Sequence, residues 1–172
     1  MILSLNIRSL QKHYKDFQRD YLAGPQVIAL QETWCDPAKA NQPYSLPGYD
    51  MYFESRGKGK GVAMYFKEGF RVSNSVNTES YQMIQVTSCD FNVINVYCSK
   101  GANKQQLYKD ICAMRGDRFC LVVGDFNDNY LNEPKSPFVK HMLQQNFSQL
   151  VRKVGFLIMC MLIMLAGTLR LM

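Results

Sequence analysis

A chain of 172 residues, 47% hydrophobic and 12% aromatic, is long enough for one domain with its own core, which excludes a disordered chain. Its formal charge of +6 and pI near 9.0 suit a polyanionic partner without dictating one. Six cysteines form no C-x-x-C pair and His13 and His141 lack ligand spacing to them, which argues against zinc. No signal-peptide pattern opens the chain, so an intracellular, reducing compartment is expected, the nucleus included.

Residues 2–7 (I-L-S-L-N-I) alternate and are expected to form a strand. Ile2, Ser4 and Asn6 then share one face and Leu3, Leu5 and Ile7 the other. A buried amide needs partners, so Asn6 is either a turn amide or a side chain aimed into a site. From Ser9 onward, Leu10, Tyr14, Phe17 and Tyr21 recur at helical spacing, and Gly24-Pro25 stops that helix. Residues 27–30 (V-I-A-L) read as a second strand. Glu32 falls where its end meets a loop, a place that chemistry commonly occupies in layered α/β folds.

Residues 35–49 carry Pro37, Pro43 and Pro47 and read as irregular. Short strands are expected at 51–53 and 61–66 (G-V-A-M-Y-F). Between them, R-G-K-G-K sets Arg56, Lys58 and Lys60 on a glycine-loosened hairpin that suits backbone phosphates or, equally, a solvated tip. It matches neither a Walker A loop nor a dinucleotide fingerprint. Further strands are expected at 69–72, 81–87 and 91–96, the last two joined as a hairpin and followed by Tyr97. Residues 103–114 read as an amphipathic helix with Leu107, Ile111 and Met114 on one side. Phe119 then leads a buried strand, C-L-V-V, that Gly124 is expected to end. Asp125 and Asn127 follow and are expected to share a face, with Phe126 packing opposite. Residues 132–137 read as a loop, 138–145 as a helix started by Ser136-Pro137, and 147–151 as a link or short strand.

Five polar residues thus stand at strand or loop junctions: Asn6, Glu32, Tyr97, Asp125 and Asn127. These types together support metal-assisted phosphodiester hydrolysis. Glu32 would ligate a hard cation, Asp125 would orient or deprotonate water, and Asn127 and Tyr97 would donate to phosphate oxygens. Periodicity alone gives only the layered fold. The joint assignment comes from L-N-I near the start, V-I-A-L-Q-E-T-W at 27–34, G-V-A-M-Y-F, V-I-N-V-Y at 93–97 and V-G-D-F-N at 123–127. In that order they resemble the endonuclease/exonuclease/phosphatase superfamily, most of all the apurinic-type endonuclease domains of mobile genetic elements.

The resemblance implies an α+β, four-layer α/β sandwich: two mixed β-sheets face to face, helices outside. It implies metal-site roles for Asn6 and Glu32, a phosphate contact at Tyr97 and a catalytic Asp125–Asn127 pair. It further implies Mg²⁺, or Mn²⁺, as cofactor and DNA as partner. Two other readings stand beside it. One is a non-catalytic nucleic-acid-binding remnant that uses Arg56, Lys58 and Lys60. The other is a phosphatase of a small phosphoester or phosphoinositide.

Residues 1–151 are expected to form this domain in incomplete form, and 152–172 an atypical hydrophobic tail. Two later motifs of the superfamily are missing: an aspartate in a strand reading roughly L-D-H-V-Y, and an aspartate–histidine pair. The tail's apolar run is shorter than the roughly 20 residues of a membrane span, so no dedicated span is expected. With the Met codons fixed and the others chosen among their synonyms, its residues 156–164 can be back-translated as TTC TTG ATC ATG TGT ATG TTA ATT ATG. Read from the third base, that string encodes L-D-H-V-Y-V-N-Y. A frameshift just before Phe156 would explain the tail; the rival reading is a functional hydrophobic helix that packs on the truncated sheet or anchors weakly to a membrane. The expected consequences are an unpaired sheet edge, poor solubility and little or no nuclease activity.

Overall fold

The computed structural model describes residues 1–21, 24–36, 44–128, 136–149 and 164–166. The proline-bearing stretch at 37–43, most of the loop expected at 132–137 and nearly all of the tail lie outside the described residues.

The elements run β1 (Ile2–Asn6), α1 (Leu10–Tyr21), β2 (Val27–Gln31), β3 (Asp50–Glu54), β4 (Val62–Phe66), β5 (Arg71–Asn77), β6 (Tyr81–Thr87) and β7 (Asn92–Cys98). They continue with α2 (Lys104–Arg115), β8 (Cys120–Asp125), α3 (Pro137–Gln144), β9 (Phe147–Gln149) and β10 (Met164–Ala166). Asn103 caps α2 by accepting from the N–H groups of Gln105 and Gln106, and Ser136 caps α3 through Val139. No helix among the described residues is long and apolar enough to cross a membrane.

One sheet has the order β1-β2-β4-β3 and the other β5-β6-β7-β8-β10-β9. Both are mixed: β1–β2 and β7–β8 are parallel and the remaining pairs antiparallel. Alternation along the strands builds the layers. Val27, Ala29, Val62 and Met64 of the first sheet meet Ile84, Val86, Val93 and Val123 of the second. The residues between them face outward: Ile28, Leu30, Ala63 and Tyr65 pack under Leu10 and Phe17 of α1. On the other outer face, Met83, Ile94, Val96 and Val122 lie under Leu107 and Ile111 of α2 and Phe138 and Met142 of α3. The architecture is the four-layer α+β sandwich expected from sequence.

Three details differ from expectation. β5 extends well past residue 72, carried by its pairing with β6; as an edge strand its R-V-S-N-S-V-N sequence is polar and lacks the apolar alternation that marks a strand, and it has a register shift between Val72 and Asn74. Gly124 does not end β8, which runs on to Asp125. A Cβ at Gly124 would come within 1.9 Å of the Val96 carbonyl oxygen, so glycine here permits close approach of β7 and β8. The tail also contributes a strand. β10 pairs with β8 (Met164 opposite Val122) and with β9, so the outer edge of β8 is covered there.

The sheets are also joined by polar groups. Asn95 of β7 donates to the Leu30 and Ala63 carbonyls at 2.9 and 3.0 Å and accepts from Gln31 at 2.6 Å. Gln31 further donates to Ser4 Oγ at 3.1 Å. Both amides are buried, at 0% and 1% exposure, so the bonds to Leu30 and Ala63 and between the two amides are made away from water.

Candidate active site

Parallel pairing delivers the site. In β1–β2, Asn6 stands opposite Gln31; in β7–β8, Tyr97 stands opposite Asp125. The two strand pairs therefore reach their carboxyl ends together. The Ser9 and Leu10 N–H groups donate to the Glu32 and Thr33 carbonyls, both at 2.8 Å, which ties the start of α1 to the Glu32 loop. The described non-glycine residues with positive φ are Arg8, Ser9, Glu32, Trp34, Asn127 and Asn146, and all but Asn146 lie at this end. Such backbone is disfavoured for residues bearing a Cβ and gathers at functional sites.

Asn6 joins the two sheets. Its Nδ2 donates to Glu32 Oε1 at 2.8 Å and to Asp125 Oδ2 at 3.0 Å. Both carboxylates therefore lie within reach of one nitrogen, although 93 residues and an intersheet gap separate them in the chain. The other amide atom, Asn6 Oδ1, is buried without a hydrogen-bond partner.

Asp125 is 2% exposed, and its carboxyl titrates above the usual range. Burial is the main cause. The Asn127 backbone N–H, 3.0 Å from Oδ1, and the Asn6 amide pull it back; Glu32 pushes it further up and Lys104 opposes that. Burial likewise pushes the Tyr97 phenol up to about 12, with Glu32 and Asp125 adding to the shift. Tyr97 keeps its proton at neutral pH and stands as a donor.

Asn127 reaches the site by another route than strand alternation. Its φ of 45° turns it out of β8, a conformation asparagine tolerates better than most residues. Its N–H holds Asp125, and its Nδ2 donates to the Cys98 carbonyl at 2.9 Å. Lys104, which the sequence reading did not single out, secures that turn. Its amine donates to the Phe126 carbonyl, lies 3.2 Å from Cys98 Sγ and sits 5.9 Å from the Phe138 ring centre. The available signal was a lysine in the first turn of a helix, where the dipole disfavours a cation.

The basic loop joins β3 to β4. The Lys60 and Gly61 carbonyls accept from the Trp34 and Thr33 N–H groups, so the loop borders the Glu32 segment. Arg56 donates to the side chain and carbonyl of Asn77, at 3.0 and 2.9 Å, and Lys60 to the Glu79 carbonyl at 2.8 Å. These two residues brace the loop on the β5–β6 turn, while Lys58 is exposed. None of the three is hydrogen-bonded to Asn6, Glu32 or Asp125.

A hard divalent cation seeks oxygen ligands. The Glu32 carboxylate and the unpartnered Asn6 Oδ1 fit that demand. Among the described residues no group of three or more His, Cys, Asp or Glu could hold a metal. Water and substrate oxygens would complete the shell, as they commonly do for Mg²⁺.

Residues 3–156 match the endonuclease/exonuclease/phosphatase family, and the chain belongs to it. Solved structures share the fold at low identity. A 3′-5′ exonuclease from Neisseria meningitidis is 17% identical, with a TM-score of 0.69 over 96% of this chain and 86% of that one. An AP endonuclease from Archaeoglobus fulgidus is 17% identical, with a TM-score of 0.67 over the same shares. The endonuclease domain of TRAS1, a telomere-specific non-LTR retrotransposon, is 11% identical, with a TM-score of 0.62 over 95% of this chain and 82% of that one. No curated protein matches the chain in sequence.

Proposed function

We propose that this domain is built for metal-dependent phosphodiester hydrolysis of DNA and derives from a mobile-element endonuclease. The observation that carries the reading is the Asn6 amide bridging the Glu32 and Asp125 carboxylates. A Mg²⁺ or Mn²⁺ ion held by Glu32 and Asn6 would supply charge for a phosphoryl oxygen and for the leaving oxygen. Asp125, with its raised pKa, is suited to take a proton from an attacking water. Tyr97 donates its retained proton to a phosphate oxygen. One Asn127 N–H is used on Cys98, and the other is left for the same task. The exposed Lys58, beside the Glu32 segment, suits a neighbouring backbone phosphate. The AP endonuclease and retrotransposon endonuclease among the similar structures support DNA as the substrate class.

Turnover by this chain is expected to be weak. No histidine is hydrogen-bonded to the cluster among the described residues, and the sequence holds no L-D-H-V-Y motif, which a frameshift before Phe156 would account for. The test compares Mg²⁺-dependent nicking of supercoiled plasmid by this chain and by a version with that frame restored. The restored chain should nick, and should stop with Glu32→Gln or on chelation; the present chain should nick far more slowly. Nicking by the restored chain that survives Glu32→Gln overturns the hydrolytic reading. Equal rates overturn the impairment.

A further inference from the structure

The opposite end of the second sheet carries a feature that phosphodiester hydrolysis does not use. A cleft of about 450 Å³ opens where β5 begins, β6 ends and the chain enters β8. Its lining includes Phe70, Arg71, Thr87, Ser88, Cys89 and Arg118. The ladder fixes its place: Arg71 stands opposite Thr87, Thr87 opposite Asn92 and Asn92 opposite Cys120. Tyr97 and Asp125 are at the other end of those strands.

Two guanidinium groups and no carboxylate line this cleft. The Arg71 side chain is exposed and, among the described residues, makes no hydrogen bond or ion pair. Arg118 uses one nitrogen on the Ser88 carbonyl at 2.9 Å, which leaves most of its planar fork free. That carbonyl is held in place, because Ser88 Oγ accepts from the Asp90 and Phe91 N–H groups and fixes the turn. Phe70 forms an apolar wall whose position is set by edge-on packing against Phe91, with ring centres 5.6 Å apart. Paired guanidinium groups match phosphoryl oxygens in charge and planarity, and a ring face matches a heterocyclic base.

We propose that this cleft is a second binding site, separate from the hydrolytic centre, for a phosphorylated ligand of nucleotide type. The phosphoryl groups lie against Arg71 and Arg118 and the base against Phe70. The ligand enters past Cys89, whose thiol is exposed, whereas Cys35, Cys98 and Cys120 are buried and Cys112 is half-buried.

Cys89 therefore reports occupancy. The test is the rate of Cys89 alkylation by iodoacetamide, read on its peptide by mass spectrometry in the full chain, with ADP or adenosine added. ADP at ten times its Kd leaves about a tenth of the clefts open, so alkylation should slow about tenfold. Adenosine should protect weakly. Arg71→Glu should abolish the ADP effect and, with no side-chain hydrogen bond or ion pair to lose, should leave the fold intact. Arg118→Ala should do the same, with an unchanged rate in the absence of ligand showing that the Ser88 turn has not moved. No protection by ADP, equal protection by adenosine, or protection that survives Arg71→Glu overturns the proposal.

Discussion

Two polar clusters bridge the same pair of sheets, and they differ in what they leave unsatisfied. Around Asn95 and Gln31, the donated bonds end on the Leu30, Ala63 and Ala29 carbonyls, on Ser4 and on each other. The cluster is closed. Around Asn6, the amide nitrogen serves two carboxylates while its oxygen is buried with no partner. A closed polar cluster in a low-dielectric gap fixes how the sheets sit on each other. An open one with two acids beside it has an acceptor to spare, which suits the proposed cation and costs the fold stability. Residues of one type, asparagines inside strands, thus do different work according to whether their hydrogen bonds close.

Substitutions can break that contrast. The largest effect is expected from Glu32→Gln. In the frame-restored chain it should lower nicking by about 10³-fold, near the loss of a principal electrostatic group, while thermal stability changes little because Glu32 is only half-buried. Next comes Asn95→Leu, which takes the amide donors from the Leu30 and Ala63 carbonyls and removes the shortest of the Gln31 Nε2 bonds, leaving those to Ser4 and Ala29. It should destabilise the chain by about 3 kcal/mol in denaturant titration and leave cation affinity untouched. Gly124→Ala should cost a similar amount, about 1–3 kcal/mol or more, through collision with the Val96 carbonyl. It should damage both clusters together, since the β7–β8 spacing holds Asn95 and Asp125 alike.

The smallest effect is one of pH. Asp125 titrates higher folded than unfolded. Below its unfolded value both states are protonated and nothing is lost. As pH rises through the folded value, the native state comes to hold a buried anion and stability falls. Asp125→Asn should flatten that fall and raise Tm at neutral pH, a gain in stability matched by a loss of function. Equal pH slopes in the two proteins would contradict the burial argument.

The sandwich was legible because its strands obey their period. I-L-S-L-N-I assigned Ile2, Ser4 and Asn6 to one face, and Asn6 now meets the second sheet while Leu3 and Leu5 pack toward α1. Tyr81–Thr87 was bounded correctly by the turn residues around it. What stayed hidden had no periodic signal. Gly124 looks like a terminator, and only the neighbouring Val96 carbonyl shows that it keeps the strand going. Asn127 obeys turn geometry instead of strand alternation, and Lys104 acts through a carbonyl that no local pattern announces. Arg56 and Lys60 stand out in the sequence by charge alone, but the β5–β6 turn that engages them lies some twenty residues further along.

The closeness of Glu32 and Asp125 around one amide can be tested without turnover. Thermal unfolding of the full chain, with and without Mg²⁺, reads cation binding directly. A ligand at a hundred times its Kd stabilises the native state by about 2.7 kcal/mol. The expected result is a Mg²⁺-dependent rise in Tm in the parent chain and in Asn95→Leu, absent in Glu32→Gln and in Asn6→Leu. An equal rise in Glu32→Gln, or none in the parent, would contradict a cation site at the open cluster.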